Sequence, residues 1–219
     1  MRFYLIQVYD IVVLARSLCY NGGMVKIVDH DKRKIEIAEA TWRVILRDGL
    51  PGATVRSIAA EAGISLGALR HYFSAQEELL SFAMNLVKER AEARIRNGMQ
   101  VTLPPREKAL RLLLELLPVD DEKMAEMEVW FAFTFHRTHA QKPSGTDPDG
   151  ILRLVRWVLD ALDSQRNLLR PGINKELEAE RLYALIDGLA LHALLEPERI
   201  RPERMREVLS AHLDGLCRP

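Results

Sequence analysis

Net charge is the first thing this chain lacks. Its 31 Lys/Arg and 31 Asp/Glu cancel over 219 residues, so no global field marks it for nucleic acid or an anionic surface. Cysteine is scarce. Cys19 and Cys217 make no disulfide framework and fit a reducing cytoplasm, which is the expected location. No apolar run reaches the roughly 20 residues of a membrane span. No segment after Met24 sustains the period-two alternation of a half-buried strand. Walker-type and G-x-G-x-x-G phosphate loops are missing, and His136 and His139 find no Cys/His/acid set with zinc spacing. Asp160, Asp163 and Asp187 read as helix-surface acids. No catalytic residue, metal or cofactor is therefore expected. What remains is 48% hydrophobic and 28% charged, the composition of a globular chain long enough to bury a core.

Residues 1–23, MRFYLIQVYDIVVLARSLCYNGG, form an apolar N-terminal extension. Asp10 interrupts the apolar stretch and no small-x-small cleavage pattern follows, which argues against a signal peptide. An added helix packed on the protein or on a partner is one alternative. An upstream start, with Met24 the true beginning, is the favoured reading.

The rest reads as helix throughout, without repeats. The first helix spans about 29–48, with Ile35, Ala38, Trp42 and Ile45 as its inward stripe and Gly49 as its stop. A fourth helix runs from Glu77 to about 97 and ends at Gly98. Leu103-Pro104-Pro105 opens a fifth that Pro118 ends, and Asp120 opens a sixth lasting to about 140. The loop 141–148 follows. Asp147-Pro148 reads as the cap and first position of a seventh helix. Asn174 caps the eighth, and Pro202 starts the ninth. The expected fold class is all-α with about nine helices: a three-helix head over 24–76 and a larger helical body over 77–219.

The most informative stretch is Thr54 to Phe73, TVRSIAAEAGISLGALRHYF. Thr54 stands where an N-cap hydroxyl serves the orphan amides of a short helix. Val55, Ile58, Ala59 and Ala62 give that helix a compact apolar face. Gly63 marks a sharp turn that favours positive φ. Ser65 caps a second short helix, and Leu69 and Phe73 anchor it inward. Leu66, Gly67, Arg70 and His71, with Tyr72 alongside, are left to face out. Ser74-Ala75-Gln76-Glu77 reads as a capping box for the next helix. This is a helix-turn-helix, and an exposed arginine on its second helix can fork onto a guanine edge or grip a phosphate. Charge partitions in the same direction. Residues 24–76 hold eight Lys/Arg against six Asp/Glu, whereas residues 77–219 hold 21 against 24.

The pattern TVRxIAxEAGxSxGxLxxYFxxxEEL resembles the DNA-binding domain of TetR-family transcriptional regulators. The wording SLGALRHYF, with IDGLALHALLEPERI near the C-terminus, is similar to the branch of PksA- and BetI-type regulators. The likeness runs from Met24 onward, about nine-tenths of the chain. It implies that the second helix enters the major groove of an operator. Many members carry lysine where this chain has Leu66 and Gln76. The expected DNA contacts are therefore Thr54, Ser65, Gly67, Arg70, His71 and Tyr72.

The body carries two further expectations. The sixth helix holds the densest run of aromatics in the chain, in MAEMEVWFAFTFHRTHA. Small-molecule pockets are mostly apolar with a few polar handles. Met127, Trp130, Phe131, Thr134, Phe135 and His139 are accordingly expected to line a ligand site, since the resemblance implies an inducer held in the body. The eighth helix is apolar around most of its circumference and needs cover on two sides. The resemblance implies a four-helix dimer interface from the last two helices. Leu182, Ile186, Leu189, Ala193, Leu209 and Leu213 are the residues expected there. The function so implied is a homodimeric DNA-binding repressor, freed from a palindromic operator by a small molecule. A helical protein-interaction module that no longer binds DNA is the alternative.

Overall fold

Residues 24–138, 150–164 and 168–218 are described in the computed structural model, and among them helix is the only extensive regular structure. In chain order the helices are α1 (Met24–Gly52), α2 (Val55–Glu61), α3 (Leu66–Tyr72), α4 (Gln76–Gln100), α5 (Pro105–Leu114), α6 (Asp121–Thr138), α7 (Gly150–Ser164), α8 (Lys175–Leu195) and α9 (Pro202–Leu216). The all-α expectation holds. One isolated antiparallel bridge, Leu169 to Cys217, ties the segment after α7 to the chain's end. The packing below is that of residues 35–219, which form one compact unit.

Two apolar clusters organise that unit. The first gathers Ile37, Trp42, Ile45, Ile58, Leu69 and Phe73 with Leu79, Val87, Val129 and Phe133. The second gathers the buried faces of α5, α7, α8 and α9. Two helices serve both. Leu79 to Val87 of α4 lie in the first, while Ile95 and Met99 pack against the second. On α6, Val129 and Phe133 belong to the first, and Met124, Met127 and Phe131 pack against the second. Each buried leucine-sized side chain contributes about 1.5–3 kcal/mol by leaving water.

Several boundaries shift for identifiable reasons. α1 begins at Met24 rather than near 29, but its backbone does leave helical geometry at Gly49, at φ 71°. Its buried face includes Ile37, Thr41 and Val44, so Ile35, expected inward, stands 36% exposed. Gly98 does not end α4. A Cβ there would come within 2.9 Å of Leu112 Cδ2, so glycine is what lets α4 and α5 approach. α5 ends at Leu114, short of Pro118, in a run of turn hydrogen bonds through Leu117. The capping box before α4 also takes another form. Ser74 donates both its backbone amide and its hydroxyl to Glu78 Oε2, each at 2.8 Å, and the cap residue is Ala75. Asp147 and Pro148 lie outside the described residues. Asn174 caps α8 as expected, accepting from the Leu177 amide at 3.2 Å.

A buried ion-pair network joins α4 to α6, which no sequence pattern announced. Glu126 is 4% exposed and receives both terminal nitrogens of Arg94, at 3.1 and 2.6 Å. Arg94 Nε and Lys123 Nζ both approach Glu115 Oε2, at 3.2 and 3.1 Å. One turn earlier, Arg90 pairs with Glu39 of α1 and lies over the Trp42 ring, 4.8 Å from its centroid. Trp42 Nε1 in turn donates to the Ala83 carbonyl at 3.0 Å, so α1 is pinned to α4 by both ends of one indole.

Candidate DNA-binding site

Thr54 Oγ1 accepts from the Ser57 amide at 3.1 Å and so caps α2. Ser57 Oγ donates to the Gly52 carbonyl at 2.7 Å, which holds the entry loop against the first turn. Gly63 turns the chain at φ 63°, and a Cβ there would meet nothing within 4 Å. Backbone conformation, not space, is what calls for glycine at that position. Ser65 Oγ accepts from the Ala68 amide at 3.1 Å and caps α3. Leu69 and Phe73, 1% and 2% exposed, anchor α3 into the first cluster.

That anchoring decides what α3 shows. Arg70 and His71 are exposed, and Gly67 leaves open backbone on the outer face, where a Cβ would meet only Ser65 Oγ at 3.9 Å. Thr54 and Ser65 are exposed as well, although both hydroxyls already serve as caps. Tyr72 departs from a fully outward placement. It is half-buried, packs on the first cluster and meets the His71 ring edge-on at 5.6 Å. Leu66 is also half-buried. Of the six expected contact residues five are exposed, Tyr72 is half-buried, and Arg70 carries the one fixed charge.

Two residues at this site escaped the sequence reading. Arg56, exposed on the first turn of α2, makes no ion pair or hydrogen bond among the described residues. Its signal was a lone cation two residues beyond a cap. Gln76, noted only for the charge it lacks, donates Nε2 to the Ala53 carbonyl at 3.0 Å. It thereby ties the start of α4 to the residue before the Thr54 cap. Gly63-Ile64-Ser65-Leu66-Gly67 also spells the G-x-S-x-G spacing of a nucleophile elbow, which the sequence reading missed. An elbow joins a strand to a helix; here the stretch joins two helices, and Ser65 Oγ serves as a cap.

An ionic clamp holds the two-helix unit to α1. Glu61 accepts from Arg43 Nε at 2.7 Å and from Arg47 at 2.8 Å. Those hydrogen bonds, Arg43's first, keep the Glu61 carboxyl below the usual carboxylate range. The stabilisation is therefore complete above the ordinary carboxylate value and is lost as pH falls through the lowered one. Thermal unfolding of wild type and Glu61→Gln, compared from about pH 7 to about pH 3, should show a gap that closes on the acid side. A gap that stays constant to the acid end would show that the clamp contributes nothing through its charge.

The expected ligand residues of α6 divide between the two clusters. Met127 and Phe131 pack against the second and Trp130 against the first. Thr134 Oγ1 donates back to the Trp130 carbonyl at 2.8 Å, and Phe135 is 54% exposed, stacked on Phe131 at 5.4 Å. His139 lies outside the described residues, and so does the loop 141–148. The six expected interface residues fare similarly. Leu182, Ile186, Leu189, Ala193, Leu209 and Leu213 are each 7% exposed or less and fill the chain's own second cluster. The helical period explains this: their shared face is the one α8 and α9 turn inward. The face of α8 left outside carries Leu177, Ala184, Gly188, Leu191 and Leu195. Leu177 and Leu195 are 51% and 67% exposed there. Among the described residues no helix is long and apolar enough to cross a membrane.

A capped α2, a left-handed turn and an α3 that projects Arg70 from an all-α chain define a helix-turn-helix DNA-binding protein. Residues 37–81 match the model for bacterial regulatory proteins of the tetR family, and residues 105–218 match that for the C-terminal part of BetI-type transcriptional repressors. The chain is 50% identical to the HTH-type transcriptional regulator PksA of Bacillus subtilis over 194 residues, 89% of this chain and 94% of that one. It superposes on a transcriptional regulator from Rhodococcus sp. Rha1 with a TM-score of 0.69 at 28% identity, covering 84% of this chain and 95% of the other. A transcriptional regulator from Saccharomonospora viridis, solved in complex with choline, shares the fold at a TM-score of 0.74 and 22% identity, over 86% of this chain and all of that one. The chain belongs to the TetR family of transcriptional regulators.

Proposed function

We propose that this regulator is a cytoplasmic, homodimeric repressor that occupies a palindromic operator and leaves it when a small molecule binds its body. Residues 24–76 act as the DNA-reading head and residues 77–219 as the body. The observation that carries the proposal is the outward face of α3, with Arg70, His71 and Gly67 exposed beside the capped start of α2. Thr54, Ser65 and Tyr72 complete the contact set, and Arg56 adds a cation to its rim.

The dimer reading rests on the outer stripe of α8. Ala184, Gly188, Leu191 and Leu195 recur at three-to-four spacing, Leu177 lies two turns before them, and a Cβ on Gly188 would meet nothing within 4 Å. The small residue is not required by the chain's own packing, whereas a second helix approaching that face would need it. A two-fold pair of heads then reads a site with matching symmetry. Ligand acts by favouring one spacing of the heads over another. α4 is suited to carry that change, because it packs in both clusters and holds Glu126 of α6 through Arg94.

The test is anisotropy titration of a palindromic fragment from upstream of the protein's own gene, at several salt concentrations. Two chains should bind per fragment, with affinity falling steeply as salt rises. Binding that ignores salt, or no binding, would instead favour the protein-interaction module.

A further inference from the structure

The structure assigns a second ligand site, for an amphipathic organic anion, to an open groove between α5, α9 and the start of α6. The groove has a volume of about 360 Å³, within the range of small-molecule sites. Leu103, Leu110, Leu114 and Val119 give it an apolar floor, and none of the residues expected to bind ligand lies in it. Its rim carries Arg111 and Arg206, on α5 and α9, with Glu107, Glu115 and Lys123. Lys123 and Glu115 already pair with each other at 3.1 Å. Arg111 and Arg206 make no ion pair or hydrogen bond among the described residues, and both are exposed. Counted over the lining residues, Arg111, Lys123 and Arg206 face Glu107 and Glu115, one positive charge in excess, and Lys123 also meets Asp120 at 3.0 Å beside the groove. An apolar floor beneath a positive rim fits a carboxylate or phosphate borne on an alkyl chain, with Arg forming the charge-assisted contacts.

The groove also touches the buried network. Lys123 forms part of its wall and holds Glu115, whose same oxygen faces Arg94 of α4 at 3.2 Å. An anionic head group competing for Lys123 loosens Glu115 and so reaches α4. This coupling rests on the repressor reading above, but occupancy of the groove does not.

The probe is decanoate, kept below its micelle concentration and titrated calorimetrically into the full chain. Saturable binding at one site per chain is expected. Arg111→Ala and Arg206→Ala should each weaken it about tenfold, the loss of one charge-assisted hydrogen bond. Both residues are exposed, so neither change disturbs the core. Arg96→Ala removes an exposed arginine of α4 outside the groove and should leave binding unchanged. Decyltrimethylammonium should bind at least about tenfold more weakly than decanoate. Absence of saturation, indifference to both arginine changes, or equal binding of the ammonium would overturn the site. Decanoate should also shift operator affinity, with a midpoint about tenfold higher in Arg111→Ala than in wild type; unchanged operator affinity with the groove filled would overturn the coupling. A chain that binds decanoate but no operator would sink the repressor reading and leave the groove standing.

Discussion

Leu182→Ala should lower the free energy of unfolding by about 2–5 kcal/mol and leave the self-association of the folded protein intact. Leu182 is fully buried on the inward face of α8, among Ile186, Leu209 and Leu213. Truncation removes the transfer energy of its methyl groups and leaves a cavity that helices held at both ends close only in part. Had the residue lain between subunits, the same change would instead weaken the dimer. Ala184→Arg is the complementary variant. Ala184 is exposed on the outer stripe of α8, where a long cationic side chain burdens no core contact but blocks close approach of a second helix. Sedimentation velocity should show Ala184→Arg as monomer where wild type and folded Leu182→Ala are dimers. Unfolding has to be compared at one protein concentration, because dimerisation adds to apparent stability. Dimers of Ala184→Arg as tight as wild type would remove α8's outer face from the interface.

Arg70→Ala should weaken operator binding by about 1–3 kcal/mol per half-site if the guanidinium reads a base pair with two hydrogen bonds. α3 presents Arg70 outward because Leu69 beside it is buried and fixes the helix's rotation. Arg70 enters no ion pair among the described residues, so it gives up no internal partner to reach DNA. Anisotropy titrations on operator and on scrambled duplex separate its roles. Loss on the operator alone marks base readout. Equal loss on both, with a shallower salt dependence, marks a phosphate contact. An unchanged affinity on both would remove Arg70 from the interface.

The helix-turn-helix was legible in the chain because its determinants are local. Thr54 and Ser65 cap the helices that follow them within three residues, Gly63 answers a local backbone requirement, and Leu69 and Phe73 sit four apart. Helical period and composition were enough to expect an all-α protein. The body was less legible for a physical reason. An apolar residue on α6 or α8 announces that it will be buried, but not by which neighbour. Phe131 and Phe133, two residues apart on α6, therefore went to different clusters. Leu182 and Leu189 read equally well as core or interface until the rotation of α8 was known.

By itself the sequence determined that this chain is helical, that its head is a capped two-helix reader and that Arg70 points away from the anchor at Leu69. Each of these follows from contacts within about one helical turn. Only the tertiary structure decided that Gly98 joins α4 to α5 instead of ending α4. It likewise decided that Glu126 is a buried partner of Arg94, and that Arg111 and Arg206 come together over one groove. Those arrangements depend on how separate helices pack, which a one-dimensional period does not encode.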